Sequence, residues 1–168
     1  MKAFILGSVS TRSALVDSLK TVRDSGLVRE AYLIWGPYDM ICKVEVSSLG
    51  QLNTVLDLLH DSEVIDTNTL IVNEEGGLTF EVKDIDKIRK CAYIFMKLRR
   101  PAAPRLWDTF LKSIEDVMEA HQLFGMYDVV ISVREEARED YFERVFKRLW
   151  LLTEVNLTST YTCFTLKI

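Results

Sequence analysis

The chain repeats itself at a spacing of 89 residues, and that repeat restricts its fold more than any other feature of the sequence. Gly36-Pro37-Tyr38-Asp39-Met40-Ile41-Cys42-Lys43-Val44 returns as Gly125-Met126-Tyr127-Asp128-Val129-Val130-Ile131-Ser132-Val133. At the same spacing Val28-Arg29-Glu30-Ala31 returns as Val117-Met118-Glu119-Ala120, and Ala3-Phe4-Ile5 as Ala92-Tyr93-Ile94. Val64, Thr67 and Thr69 match Val155, Thr158 and Thr160, with the spacing grown by two. Matches in the same order over the length of both halves mean that one folding unit occurs twice.

Each half carries the same element order. An apolar strand around Ala3 to Leu6 precedes a helix whose stripe is Ala14, Leu15, Leu19 and Val22. A strand from Val28 to Trp35, a tight turn at Gly36 to Asp39, and a third strand follow. In that strand Met40, Cys42, Val44 and Val46 alternate with Ile41, Lys43 and Glu45, the period-2 pattern of strand structure. Ser48 and Gln51 have capping-box spacing ahead of a helix with Leu52, Val55, Leu56 and Leu59 on one face. Thr67 to Val72 supplies the fourth strand. In the second half, Leu106, Trp107, Phe110, Leu111, Ile114 and Val117 predict the face of the first helix. Tyr141, Phe142, Val145, Phe146 and Leu149 predict that of the second, and Thr158 to Leu166 predicts the last strand.

The order βαββαβ folds as one antiparallel sheet with both helices on one face. The expected class is therefore α+β, with two tandem ferredoxin-like βαββαβ repeats. The boundaries expected are 1–75 for the first domain, 76–90 for a linker and 91–168 for the second domain. Within 76–90, Leu78-Thr79-Phe80-Glu81-Val82 alternates as an added short strand would. Apolar residues on both faces of the third strand imply that both sheet faces are at least partly buried, so that two sheets pack against each other within the chain or between chains.

Charge and cysteine usage exclude several functions. The formal net charge of −4 argues against a nucleic-acid binder. The basic run Lys97-Leu98-Arg99-Arg100-Pro101-Ala102-Ala103-Pro104-Arg105 has no interleaved aromatic residues and reads as a solvated loop. Cys42, Cys91 and Cys163 are dispersed among apolar neighbours, so they read as buried small hydrophobes in a reducing compartment. No apolar stretch reaches the length of a membrane span, and the N-terminus reads as a strand instead of a signal peptide. A cytoplasmic location, no membrane contact and no cofactor are expected.

The turn Gly36-x-Tyr38-Asp39 between two strands, a second helix, and then Val64-x-x-Thr67-x-Thr69 resemble the effector-binding domain of the Lrp/AsnC (feast/famine) regulators, the regulation of amino acid metabolism (RAM) domain. Gly125-x-Tyr127-Asp128 and Val155-x-x-Thr158-x-Thr160 carry the resemblance into the second half. The resemblance implies a dimeric αβ-barrel, assembly into oligomers, and a small effector, typically an amino acid, near the Gly-x-Tyr-Asp turn. It differs from the family's regulators in its doubling and in beginning directly at the first strand, without a helix-turn-helix. The implied role is a non-enzymatic sensing and oligomerisation module related to transcription regulation, acting through mixed oligomers with DNA-binding Lrp/AsnC-type regulators. The alternatives are a purely structural oligomerisation module and, third, a dimeric αβ-barrel enzyme of the kind that handles haem.

The residues assigned to ligand binding on this resemblance are Gly36, Tyr38, Asp39, Gly125, Tyr127 and Asp128. Asp39 and Asp128 have the charge to receive an ammonium group, and backbone N–H groups near the glycines suit a carboxylate. The same residues also suit a plain hairpin turn, with Gly supplying φ > 0, Asp bonding local backbone and Tyr packing. His60 and His121 have no repeat-matched histidine, and read as ordinary surface or core residues; no catalytic or metal residues are expected. Trp35 and Phe124 occupy matched positions before the two glycines, where they wall a pocket or pack in the core.

Overall fold

A computed structural model describes residues 1–99, 106–109, 111–151 and 157–168. The chain divides into two compact units, Met1–Ile71 with Thr165–Ile168, and Val72–Phe164. In the first, β1 (Lys2–Val9) leads through a short 3-10 turn to α1 (Leu15–Asp24), β2 (Glu30–Trp35), β3 (Met40–Glu45), α2 (Leu49–Asp61) and β4 (Val64–Val72). The sheet order is β4-β1-β3-β2, all antiparallel. This is the βαββαβ unit that the apolar spacing predicts. The helices lie where Leu19, Val22, Leu52, Val55 and Leu59 are buried against Ala3, Ile5, Cys42 and Val44 of the sheet.

Ser48 caps α2 as its spacing predicts. Its hydroxyl oxygen accepts from the Gln51 backbone N–H at 3.1 Å, and Gln51 Oε1 accepts from the Ser47 N–H at 2.7 Å. One N–H that the helix leaves open, at Gln51, and the N–H of Ser47 just ahead of the cap are thereby satisfied. Ser48→Ala is expected to cost about 1 kcal/mol, read in urea denaturation. An unchanged midpoint would show that water replaces the cap at no loss.

The second unit opens with β5 (Thr79–Glu81) and continues through β6 (Lys90–Leu98), α3 (Leu106–Thr109), a 3-10 turn at Leu111–Ser113, β7 (Val117–Phe124) and β8 (Val129–Arg134). A π-helical turn, Phe142–Phe146, runs into α4 (Lys147–Trp150), and β9 (Leu157–Thr165) closes the order. The sheet order β9-β6-β8-β7-β5 repeats that of the first unit with β5 added at one edge. Register repeats as well. Ile5 faces Cys42 across β1 and β3, and 89 residues later Ile94 faces Ile131 across β6 and β8.

Within 76–90 the alternating stretch forms the short strand expected of it, and the segment falls in the second compact unit. Phe80 pairs with Ala120 across β5 and β7, Leu78 and Ile85 are buried, and the Phe80 ring stacks on Trp107 at 3.6 Å. Two expected helix faces are corrected; among the described residues the first helix of the second half is α3, Leu106–Thr109. Val117 belongs to β7, because Val117 N donates to Ile114 O and its partner thereafter is Val133. Phe142 and Phe146 do not join the buried face. Val145 and Leu149 point inward, with Tyr141 edge-on to Phe164, while Phe142, Phe146 and Trp150 form an outer ladder at ring distances of 5.4 and 5.8 Å. Phe110, Arg100 to Arg105 and Val155 lie outside the described residues.

The reverse sheet faces are buried too: Phe4, Leu6 and Ile41 in the first unit, Tyr93, Phe95 and Val130 in the second. All three cysteines are buried and free, and burial pushes their thiols up, to about 12 at Cys42 and Cys163 and about 11 at Cys91. They remain protonated packing residues. No described helix is long and apolar enough to cross a membrane.

Candidate functional site

The two Gly-x-Tyr-Asp turns close equivalent hairpins with equivalent hydrogen bonds. Asp39 N donates to Gly7 O at 2.9 Å, Asp39 O accepts from Ile34 N at 2.9 Å, and Asp39 Oδ2 accepts from Val9 N at 3.0 Å. In the second turn, Asp128 N donates to Met96 O, Asp128 O accepts from Leu123 N, and Asp128 Oδ2 accepts from Leu98 N, each at 2.8 Å. Each aspartate thus clamps the end of the first strand of its unit to the start of the third, and its carboxylate closes the ladder where strand pairing stops. Gly125 has φ of 130°, a conformation that a side chain disfavours. Tyr38 accepts a hydrogen bond from Asn68 Nδ2 at 3.3 Å, whereas Tyr127 packs between Phe95 and Tyr161 at 5.4 and 6.2 Å.

Every residue of the predicted ligand set therefore falls in one of the two turns. One oxygen of each aspartate serves the fold. What the turns present outward is apolar: Trp35 is 74% exposed and Phe124 58%, so neither packs in the core.

A second set of polar residues lies on the buried sheet faces. In the first unit Glu30 stands opposite Lys43, with Lys43 Nζ 3.9 Å from Glu30 Oε2, and the Tyr32 hydroxyl donates to Glu30 Oε1 at 3.3 Å. The equivalent positions in the second unit are Glu119, opposite Ser132, and His121 in the place of Tyr32. Edge strand β5 adds Thr79 opposite His121 and Glu81 opposite Glu119. His121 Nε2 lies 3.1 Å from Glu119 Oε2 and 3.3 Å from Glu81 Oε1, and Nδ1 lies 2.9 Å from Thr79 Oγ1. Burial works against protonation of His121, but hydrogen bonds to Glu119 and Glu81 outweigh it and raise the imidazole's affinity for a proton. Sequence reading passed over this group. The signal available was Glu119-x-His121 at strand period, which puts both side chains on one face.

The first of these hairpins lies within a segment of known kind. Residues 3–76 match the model of the Lrp/AsnC ligand binding domain. A protein of known structure, FFRP-DM1, is 28% identical over 40% of this chain and 92% of its own, with a TM-score of 0.37. The hypothetical protein PHS023 from Pyrococcus horikoshii is likewise 28% identical, over 40% of this chain and 83% of its own, with a TM-score of 0.37. The siroheme decarboxylase NirDL is similar in fold across 99% of this chain and 71% of its own, with a TM-score of 0.70 at 10% identity. No curated protein sequence matches the chain significantly. The ligand binding domain therefore accounts for the first βαββαβ unit and its turn. The second unit repeats its element order, its strand register and its aspartate clamp.

Proposed function

We propose that the chain is a non-enzymatic module that binds a small metabolite, most simply an amino acid, at its Gly-x-Tyr-Asp turns, and that it assembles into oligomers with itself or with related regulators. The observation that carries this reading is the match of residues 3–76 to a ligand binding domain containing the first turn. The hydrogen-bonded frame that recurs at the second turn supports two such sites. Ligand ammonium and carboxylate groups would meet the remaining aspartate oxygen and the backbone beside Gly36 and Gly125. Trp35 and Phe124 would cover the apolar part.

Because the aspartates hold the fold, the exposed aromatics are the cleaner probes. A ligand that binds only the native state raises Tm in proportion to the logarithm of its concentration. A thermal-shift screen against amino acids is expected to find such a ligand. Trp35→Ala and Phe124→Ala are expected to diminish the response while leaving the ligand-free Tm in place. A flat response to every compound, with an unchanged mass in solution, would favour a purely structural oligomerisation module.

One observation favours a second reading, an enzyme: the buried carboxylate–imidazole group at Glu81, Glu119 and His121, in a fold shared with a siroheme decarboxylase. A bound tetrapyrrole has visible absorption, and its presence in freshly purified protein would displace the sensor reading.

A further inference from the structure

We propose that Glu81, Glu119 and His121 form a binding site for one divalent transition-metal ion, present in the second unit and without a counterpart in the first. The site stands apart from the effector turns and outside the segment matched to the ligand binding domain, so it does not depend on the function proposed above.

The backbone ladder builds the group. Glu119 and His121 project from the same face of β7, and β5 sets Glu81 opposite Glu119 and Thr79 opposite His121. One donor atom from each of the three ligands lies within 4.8 Å of the others. Bonds of about 2.0–2.2 Å in a tetrahedral site place neighbouring ligand atoms about 3.3–3.5 Å apart. The Nε2–oxygen distances of 3.1 and 3.3 Å already match that edge closely. An ion therefore needs little rearrangement of the imidazole edge.

Orientation of the histidine is provided as well. The Thr79 hydroxyl lies 2.9 Å from Nδ1, and with the proton assigned there Nδ1–H donates to Thr79 Oγ1. An ion that takes the place of the Nε2 proton would then find the outer-shell arrangement that metal-ligating histidines use. Glu119 and His121 are fully buried, while the Glu81 side chain is 23% exposed. Entry is therefore from the side of Glu81.

The two repeats differ at this register position. In the first unit the residue across from Glu30 is Lys43, so the chain supplies its own cation. Across from Glu119 the same register position holds Ser132. The second unit thus exchanges an ammonium group for a hydroxyl and gathers a second carboxylate and an imidazole around the remaining one. One nitrogen and two carboxylate oxygens suit Zn2+, Mn2+ or Fe2+ better than Ca2+ or Mg2+, which prefer all-oxygen sites.

The test uses the whole chain, stripped with chelator and titrated with Zn2+ while stoichiometry and affinity are measured. One Zn2+ per chain is expected, and Glu81→Gln, at the exposed edge, should weaken it by about 10-fold or more with an unchanged metal-free Tm. His121→Gln should abolish it. Co2+ loading should give the weak d–d bands of a nitrogen–oxygen site, without the thiolate charge-transfer band that cysteine ligation produces. Absence of stoichiometric binding, or binding that survives both substitutions, would overturn the proposal and leave a proton as the cation shared by the three side chains.

Discussion

Lys43→Met is expected to destabilise the protein by about 3 kcal/mol, because it takes the facing ammonium away from a buried carboxylate in the first unit. The Lys43 and Glu30 side chains are 3% and 4% exposed, and the ammonium lies 3.9 Å from Glu30 Oε2. Methionine preserves the length of the side chain and most of its packing, so the loss isolates the charge. The Tyr32 hydroxyl, which donates to Glu30 Oε1 at 3.3 Å, is a neutral donor and does not replace the lost ammonium beside a buried anion. The matching fall in Tm for a chain of this size is about 6–12 °C. Adding Glu30→Gln should recover most of the loss, since removing both charges is far less costly than removing one. Urea denaturation of the two single variants and the double variant closes the cycle. A loss below about 1 kcal/mol, or a double variant no better than Lys43→Met, would mean that the charges are not coupled.

Asp116→Ala is expected to cost about 2 kcal/mol, through a different arrangement of the same physics. Asp116 lies just before β7 and is 3% exposed. Its Oδ1 accepts from Arg134 Nε and Arg144 Nη2, both at 2.6 Å, and its Oδ2 accepts from Arg144 Nε at 2.8 Å. One carboxylate thereby joins the start of β7 to the end of β8 and to the π-helical turn. The arginines are 28% and 33% exposed, so water partly stabilises them when the aspartate is lost, which keeps the cost below that of a fully buried pair. Burial alone would raise the Asp116 pKa, but the Arg144 and Arg134 hydrogen bonds hold it below its ordinary 3.8. A depressed carboxylate pKa stabilises the fold above the unfolded value, and that contribution disappears as pH falls through the folded one. The advantage of the parent protein over Asp116→Asn should therefore be constant near neutrality and shrink below about pH 4. A difference that does not change down to the acid limit would exclude this ionic role.

Much of the fold is legible in the residues alone. The 89-residue repeat, the period-2 strands and the helical stripes of α1 and α2 predict two βαββαβ halves, and both are present. The Gly-x-Tyr-Asp turns were legible as turns, and the first lies in the Lrp/AsnC ligand binding domain that its neighbours resemble. That each aspartate would clamp the end of β1 or β6 was not legible, because Val9 and Leu98 lie 30 residues from their partners.

Local pattern also misled in identifiable places. Phe142 and Phe146 have helical spacing, but the inward face is already taken by Val145 and Leu149, so the aromatic pair turns outward. The alternating stretch within 76–90 reads as an added short strand, and it forms one, β5, but which strand it pairs with, β7, was not legible.

The sequence by itself determined the order of the elements, their duplication and most of the residues that face each core. These follow from periodicity and turn chemistry, which act over a few residues along the chain. Only the tertiary structure decided which polar side chains meet. Thr79 reaches His121 over 42 positions, and Asp116 reaches Arg144 over 28. Such meetings depend on strand register and sheet order, which arise when distant segments pair, and no local spacing encodes them.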